Sequence, residues 1–385
     1  AAPFAQLHYP FENNDYFKKR FPYDFIAEAI DQTRGWFYTM HVLSVALFDS
    51  IAYKNVVCAG HIVDENGQKM SKSKGNVLDP WKIFDAVGVD ATRLQFCTSA
   101  VGEPKRFSES LVRMQVSPFL NIYWNTYVFT KQFKASAKKE LRIEDKWIIS
   151  RLNTLVKEYT AHFEKNEFNK CFEKLALFAN DDFSRTYIKL IRERTDEGAP
   201  ETLKACLKTV SKLLAPFCPF VTDFVYRDAI ESKNIHFAPW PVLEEKKIDA
   251  ELEESMALAN RILAEILSKR NEAKIGVRWP LSKAVVFAPA TGVLDKLTGL
   301  IEKQANVKDV QLEEGEFKIE LDTQLTEELE KEGFLRELTR KVQDARKNAG
   351  LVKENTISLV INSPINFAGL EKEFAQKVGA KTLEF

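Results

Sequence analysis

Cysteine is scarce. Cys58, Cys97, Cys171, Cys206 and Cys218 lie far apart in 385 residues and form no CxxC pair. Neither a zinc knuckle nor a disulfide framework is suggested, and scattered thiols fit a reducing, cytoplasmic setting. Long apolar runs are missing too. The nearest candidate, from Val116 to Phe133, is broken by Pro118, Asn121, Asn125 and Lys131. It falls short of the roughly 18 apolar residues of a membrane span, so it reads as a buried helix and no membrane partner is expected. Charge of one sign is absent in net terms, since 55 Lys and Arg balance 55 Asp and Glu. That excludes a uniformly basic polyanion binder, though not locally basic faces. The opening Ala1-Ala2-Pro3-Phe4 shows no Met and no basic-then-apolar leader, so the chain is expected to be a piece of something longer. There is no internal repeat and no low-complexity tract. What is present, 45% hydrophobic and 29% charged residues, suffices for two or three packed domains.

Three compositional zones are expected, with boundaries at residues 1–110, 111–242 and 243–385. In the first, the apolar run Val56-Val57-Cys58-Ala59 has the look of a strand buried in a parallel sheet. Glu65-Asn66-Gly67-Gln68 carries an Asn-Gly hairpin signal, and Arg34 to Phe48 is helical in pattern. Strands alternating with helices favour an α/β layer. In the second zone Trp147, Ile148, Leu152, Leu155, Val156, Tyr159 and Phe163 recur at helical spacing. Leu175 to Phe183, Leu203 to Phe217 and Thr222 to Ala229 extend that pattern to an all-α bundle. Then His236-Phe237-Ala238-Pro239-Trp240-Pro241 reads as extended, and an acidic helix is expected through Glu244, Glu245, Asp249, Glu251, Glu253 and Glu254. Strand-like runs at 284–287 and 357–361, alternating with helices, point to a small α+β module.

The most informative segment is Lys69-Met70-Ser71-Lys72-Ser73-Lys74-Gly75-Asn76-Val77-Leu78. Alternating ammonium and hydroxyl groups can surround a triphosphate, the lysines as point charges and the hydroxyls and backbone N–H groups as donors. Gly75 permits close backbone approach. An arbitrary K-x-x-K is most often only a solvated loop. Here Lys69 to Ser73 reproduce the KMSKS signature of the class I aminoacyl-tRNA synthetases, and Asn76 continues the match.

Upstream, Phe21-Pro22-Tyr23-Asp24-Phe25-Ile26-Ala27-Glu28-Ala29-Ile30-Asp31-Gln32-Thr33-Arg34-Gly35-Trp36-Phe37 resembles the segment FPADFIAEGxDQxRGWF of the isoleucyl-tRNA synthetase family, in the branch that includes archaeal and eukaryotic forms. Pro3 to Asn13 is similar to the same family. The resemblance implies the second half of a Rossmann-like catalytic domain, an anticodon-binding bundle and an α+β C-terminal module. It implies that Glu28, Asp31 and Gln32 hold the aminoacyl-adenylate and that Trp36 walls the isoleucine side-chain pocket. Lys69 and Lys72 would be catalytic, contacting the ATP phosphates, with Met70, Ser71 and Ser73 completing the ATP site and Met70 near the adenine. ATP with Mg2+, L-isoleucine and tRNA(Ile) are the implied substrates, with no protein-bound metal and a monomeric, cytoplasmic enzyme. Ala29 stands where the family usually has Gly. Without the continuous match, Glu28 and Asp31 would read as a helix N-terminal charge pair and Trp36 as core. One methylene in an apolar pocket is worth only about 1–3 kcal/mol, and this family is the usual illustration of that limit; hence its separate editing domain.

Trp147 to Asn153 is similar to the opening of the family's anticodon-binding bundle, and Leu214 to Phe220 resembles its LAPFxPF segment. Asp182 to Lys189, then Arg192 and Arg194, resemble its SRWY-type helix, with Thr186 in place of Trp. Arg185, Lys189 and Arg192 share a helical face and suit phosphate contact; a solvated face paired with Asp182, Glu193 and Asp196 is the other reading. Near the end Leu335, Leu338, Val342, Ala345 and Ala349 line one side of a helix and Arg336, Arg340 and Lys347 the other, with Gly350 as cap. Text of the form RELxRxxQxxRKxAGL recurs in the family, and either a tRNA-backbone contact or a solvated face fits it.

None of His8, His41, His61, His162 and His236 stands in the family's HIGH string, and the editing domain and the preceding Trp-Phe-Asp-Ser-Gly stretch are also absent from these residues. The expectation is a C-terminal portion beginning inside the catalytic domain, inactive alone, with an exposed apolar sheet flank near 22–26 and 55–59. The alternatives are a valyl or leucyl ligase, or a synthetase-derived, non-catalytic tRNA-binding protein.

Overall fold

The computed structural model describes residues 7–71, 73, 75–133, 141–192, 194, 198–288, 293–352, 355–361 and 371–384. The chain divides into two compact units, Ala1–Ile248 and Asp249–Phe385. Among the described residues no helix is long and apolar enough to cross a membrane.

The first unit opens with a short helix, α1 (Asn14–Arg20), and a βαβ arrangement: β1 (Ile26–Ala29), α2 (Trp36–Phe48) and β2 (Val56–Ala59). β1 and β2 run parallel with Ile26 opposite Val56 and Ala29 opposite Ala59, the pairing that a helical crossover requires. Phe17, Ile26, Phe37, Met40 and Ala52 form the local core, closed by Tyr9, Phe21 and Phe48. Tyr9 stacks on Phe17 with ring centroids 4.0 Å apart. The run at Val56 is a strand as its composition suggests, but it is not buried. Val56 is 47% and Phe25 50% exposed, because among the described residues β2 has only β1 as a neighbour. A second parallel pair joins β3 (Ile62–Val63) to β4 (Lys105–Arg106). The helices α3 (Pro80–Val87) and α4 (Val89–Gln95) lie between them, and α5 (Glu109–Gln115) follows. The Rossmann-like sheet of the sequence reading is thus present as two small two-stranded ladders within a largely helical chain.

The helical part comprises α6 (Ser117–Thr130), α7 (Ile143–Glu164), α8 (Phe168–Leu177), α9 (Ala199–Leu214) and α10 (Pro219–Ala229). Buried tyrosines tie it together: Tyr123 Oη lies 2.7 Å from Ser211 Oγ, and Tyr159 Oη donates to the Leu213 carbonyl at 2.6 Å. Beyond Leu177 the ordinary helix expected to Phe183 widens into a π-helix over Phe178–Ile188. Within it Asp181 pairs with Arg185, and Asp182 reaches Arg151 at 3.0 Å.

Two boundaries differ from the sequence reading. Ile235–Phe237 is a 3-10 turn rather than extended chain, because the Asn234 side chain accepts the His236 N–H at 2.8 Å. The segment after it does extend, and Trp240 packs on Phe163 with centroids 5.2 Å apart and donates to Thr160 Oγ1 at 2.9 Å. The acidic helix begins only at Ala250. Glu245–Lys247 is a separate 3-10 turn, and Asp249 caps α11 (Ala250–Glu272) by accepting the Leu252 N–H at 3.0 Å.

The second unit sets a three-stranded sheet, ordered β6-β5-β7, beside α11 and α12 (Thr298–Ala305). β5 (Leu281–Ala288) is parallel to β6 (Val307–Glu314) and antiparallel to β7 (Lys318–Leu321). Arg270, 1% exposed, donates to the carbonyls of Trp279 and Asn306 at 2.9 and 2.7 Å. These bonds staple the end of α11 to the sheet edge. The long α13 (Glu327–Asn348) is followed by β8 (Ile357–Val360), α14 (Glu371–Val378) and β9 (Ala380–Glu384), the last two strands being parallel. Gly333 is required on α13, since a Cβ there would stand 2.5 Å from the Trp279 ring.

Candidate functional site

The first group of site residues lies at the C-terminal end of β1 in its parallel pair with β2. Glu28, opposite Cys58, is exposed at the end of β1. Directly after it, the 3-10 turn Ile30–Arg34 brings Asp31, Gln32 and Trp36 together. Gln32 Nε2 donates to Asp31 Oδ2 at 2.8 Å, and Gln32 Oε1 accepts the Trp36 N–H at 2.8 Å, so the amide serves as the cap of α2. A Cβ at Gly35 would lie 2.6 Å from Gln32 Oε1, so a side chain there would push the Gln32 amide aside. Trp36 is 37% exposed rather than core. Ala29 takes extended backbone (φ −83°, ψ 166°), which a methyl tolerates without strain.

From β2 the chain passes through Gly60, where a Cβ would collide with the Glu103 carbonyl at 2.2 Å, into β3 and the lysine-rich segment. Val63 bridges Lys69 in antiparallel fashion across the tight turn at 64–68, so the hairpin signal is realised with Gly67 at φ 79°. The turn is organised by Asp64, whose Oδ1 accepts the N–H groups of Asn66 and Gln68 at 3.0 and 2.8 Å. Its Oδ2 accepts from Asn76 Nδ2 at 2.8 Å. Asn76 in turn accepts the Ser71 N–H on Oδ1 at 2.8 Å and donates to the Lys69 carbonyl at 3.3 Å. Ser71 Oγ lies 3.2 Å from Ser73 Oγ. Lys69 and Ser73 are exposed, Met70 and Ser71 half-buried, and Lys72 lies outside the described residues. Sequence reasoning missed the role of Asp64. The available signal was a carboxylate two residues before an Asn-Gly turn, a spacing that favours side-chain acceptance of turn N–H groups.

The basic residues of the bundle separate. Arg185 forms an exposed pair with Asp181 at 2.9 Å, Lys189 and Arg192 are exposed, and Asp182 is engaged by Arg151 rather than by this face. Glu193 and Asp196 lie outside the described residues. Arg194 is not part of a surface patch. It is buried, donating to Glu144 at 2.7 Å and to Asp145 at 2.8 and 3.0 Å, with Tyr187 Oη also on Asp145 at 2.7 Å. In the second unit Arg336 pairs with Glu332 at 2.5 Å and Arg340 with Asp344 at 2.9 Å.

Residues 1–108 match the family of class I tRNA synthetases (I, L, M and V), and residues 145–285 match the anticodon-binding domain of tRNA ligase. The chain belongs to the class I tRNA synthetases. The curated relatives it matches include isoleucine–tRNA ligases. That of Clostridium novyi (strain NT) is 40% identical over 80% of this chain and 32% of its own length. That of Clostridium acetobutylicum is 33% identical over 99% of this chain and 47% of its own length. The chain therefore spans a third to a half of the relatives it matches. A solved ternary complex of Agrobacterium radiobacter K84 agnB2 LeuRS with tRNA and LeuAMS shares the fold at a TM-score of 0.52 and 21% identity, over 65% of this chain and 34% of that one.

Proposed function

We propose that the polypeptide carrying these residues is an isoleucine–tRNA ligase, which activates L-isoleucine with ATP and passes the acyl group to tRNA(Ile). The observation that carries the proposal is the Asp31–Gln32–Trp36 turn directly beyond the C-terminal end of β1 in its parallel pair with β2, in the same synthetase-matching stretch as the text Lys69-Met70-Ser71-Lys72-Ser73. Open α/β sheets bind ligands at that edge. In the proposed reaction the isoleucine carboxylate attacks the α-phosphorus of ATP and pyrophosphate leaves. Charge builds on phosphate oxygens, and Lys69 and Lys72 stabilise it as preorganised cations while Ser71 and Ser73 donate hydrogen bonds. Glu28, Asp31 and Gln32 hold the polar part of the adenylate and Trp36 covers the aliphatic side chain. Met70 sits by the adenine. Mg2+ enters with the ATP as part of the substrate. The acyl group then moves to the 3′-terminal ribose of tRNA, with Arg185, Lys189 and Arg192 as phosphate contacts on the bundle.

We assign 1–110 to the catalytic domain, 111–242 to the anticodon-binding domain and 243–385 to a C-terminal module. We place the enzyme in the cytoplasm as a monomer, and we expect the 385 residues alone not to form the adenylate. The test is Lys72→Ala in the native ligase. Isoleucine-dependent ATP–pyrophosphate exchange should fall by on the order of 100-fold in kcat, with ATP affinity changed only a few-fold. Equal losses in both would mean that the lysine anchors only the ground state.

A further inference from the structure

We propose that Asp64 and Asn76 form a clasp that positions Lys69 and Ser71 for phosphate contact, an inference that rests on the assignment of this loop to the ATP phosphates. The two residues stand on opposite sides of the loop, Asp64 on the entering arm and Asn76 on the leaving one. Between them they bind four backbone groups of residues 66–71. Asp64 can only accept, so the Asn76 amide nitrogen must face it. The amide oxygen is thereby turned to the Ser71 N–H, which fixes the backbone on either side of Met70. Gly75, at φ 67° with open space around its Cα, turns the chain so that the amide can reach back. A loop held in its binding geometry binds more tightly by the inverse of the fraction of time it would otherwise spend there. Asp64 and Asn76 are therefore positioning residues: neither needs to touch the nucleotide.

The chemistry of the pair supplies its own control. Asp64→Asn sets one amide against another, and Asn76→Asp sets one carboxylate against another, so each single change should break the clasp. Exchanging both should rebuild it with the same net charge. The amide at 64 would still accept from Asn66 and Gln68 and would donate to the carboxylate at 76, whose second oxygen would accept from Ser71. Of the clasp contacts named above, the 3.3 Å one to the Lys69 carbonyl would be lost. A simple field effect gives a different pattern, because removing the negative charge at 64 would tighten binding of an anion.

Tripolyphosphate affinity of the 385-residue chain, read by calorimetry, and amide hydrogen exchange of Ser71 decide the matter. Each single substitution should weaken binding and speed Ser71 exchange about tenfold, and the double exchange should return both to within about threefold of wild type. The thermal midpoint should stay unchanged throughout. Tighter binding by Asp64→Asn, or unaltered Ser71 exchange in both single variants, overturns the clasp. If the wild-type chain takes up no tripolyphosphate while Ser71 exchange still follows the swap, the phosphate assignment fails and the clasp's role in it falls too.

Discussion

Arg194 has a side chain only 4% exposed and sits between Glu144 and Asp145, the latter fully buried. Burial and the adjacent Asp145 carboxylate push the Tyr187 hydroxyl well above its ordinary pKa, so the tyrosine remains a neutral donor in the cluster. Removing one member of a buried, hydrogen-bonded charge group strands the rest. Arg194→Met should therefore destabilise the chain by about 3–5 kcal/mol in urea unfolding, and replacing Arg194, Glu144 and Asp145 together by apolar residues should cost less. A loss below about 1 kcal/mol for the single change would contradict the cluster's structural role. From sequence alone Arg194 was indistinguishable from Arg192, since its partners lie some fifty positions upstream. The KMSKS string and the Asn-Gly turn were legible because their information is local. The part played by Asp64 was not, because its second partner, Asn76, lies twelve residues away.

Between α7 and α8 the chain turns through Asn166, at φ 58°, and Glu167 secures the corner. Its carboxylate accepts from Lys170 at 2.7 Å and lies 2.6 Å from His162 Nδ1, and the two hold its pKa down to about 2. A depressed carboxylate stabilises the folded state above its unfolded value, near 4.5, and that contribution is lost as pH falls towards about 2. Wild type should thus exceed Glu167→Gln in thermal midpoint at pH 7, with the gap closing between pH 4.5 and 2. A gap independent of pH would rule the linkage out. Apolar spacing made the bundle helices legible, since Trp147 to Tyr159 do face the core. The π-helix at Phe178–Ile188 escaped notice, because a 3.6-residue reading of apolar positions does not register an eleven-residue widening.

At the scale of the molecule, the first compact unit carries the whole synthetase match and most of the anticodon-binding match, which runs on into the second unit. Apolar side chains of the βαβ arrangement, among them Tyr38, Leu47 and Val56, are 62%, 63% and 47% exposed. The general class was readable from contiguous text. The run at Val56 read alone suggested burial, which depends on neighbouring strands, whereas the expected exposed flank near 22–26 and 55–59 is met at Phe25 and Val56. Amino-acid dependence of ATP–pyrophosphate exchange by the native polypeptide that carries these residues tests the ligase assignment most directly. Isoleucine should support exchange with a kcat/KM on the order of 100-fold above valine, with leucine weaker still. Exchange that favours valine or leucine, or no exchange with any of the three, would contradict it.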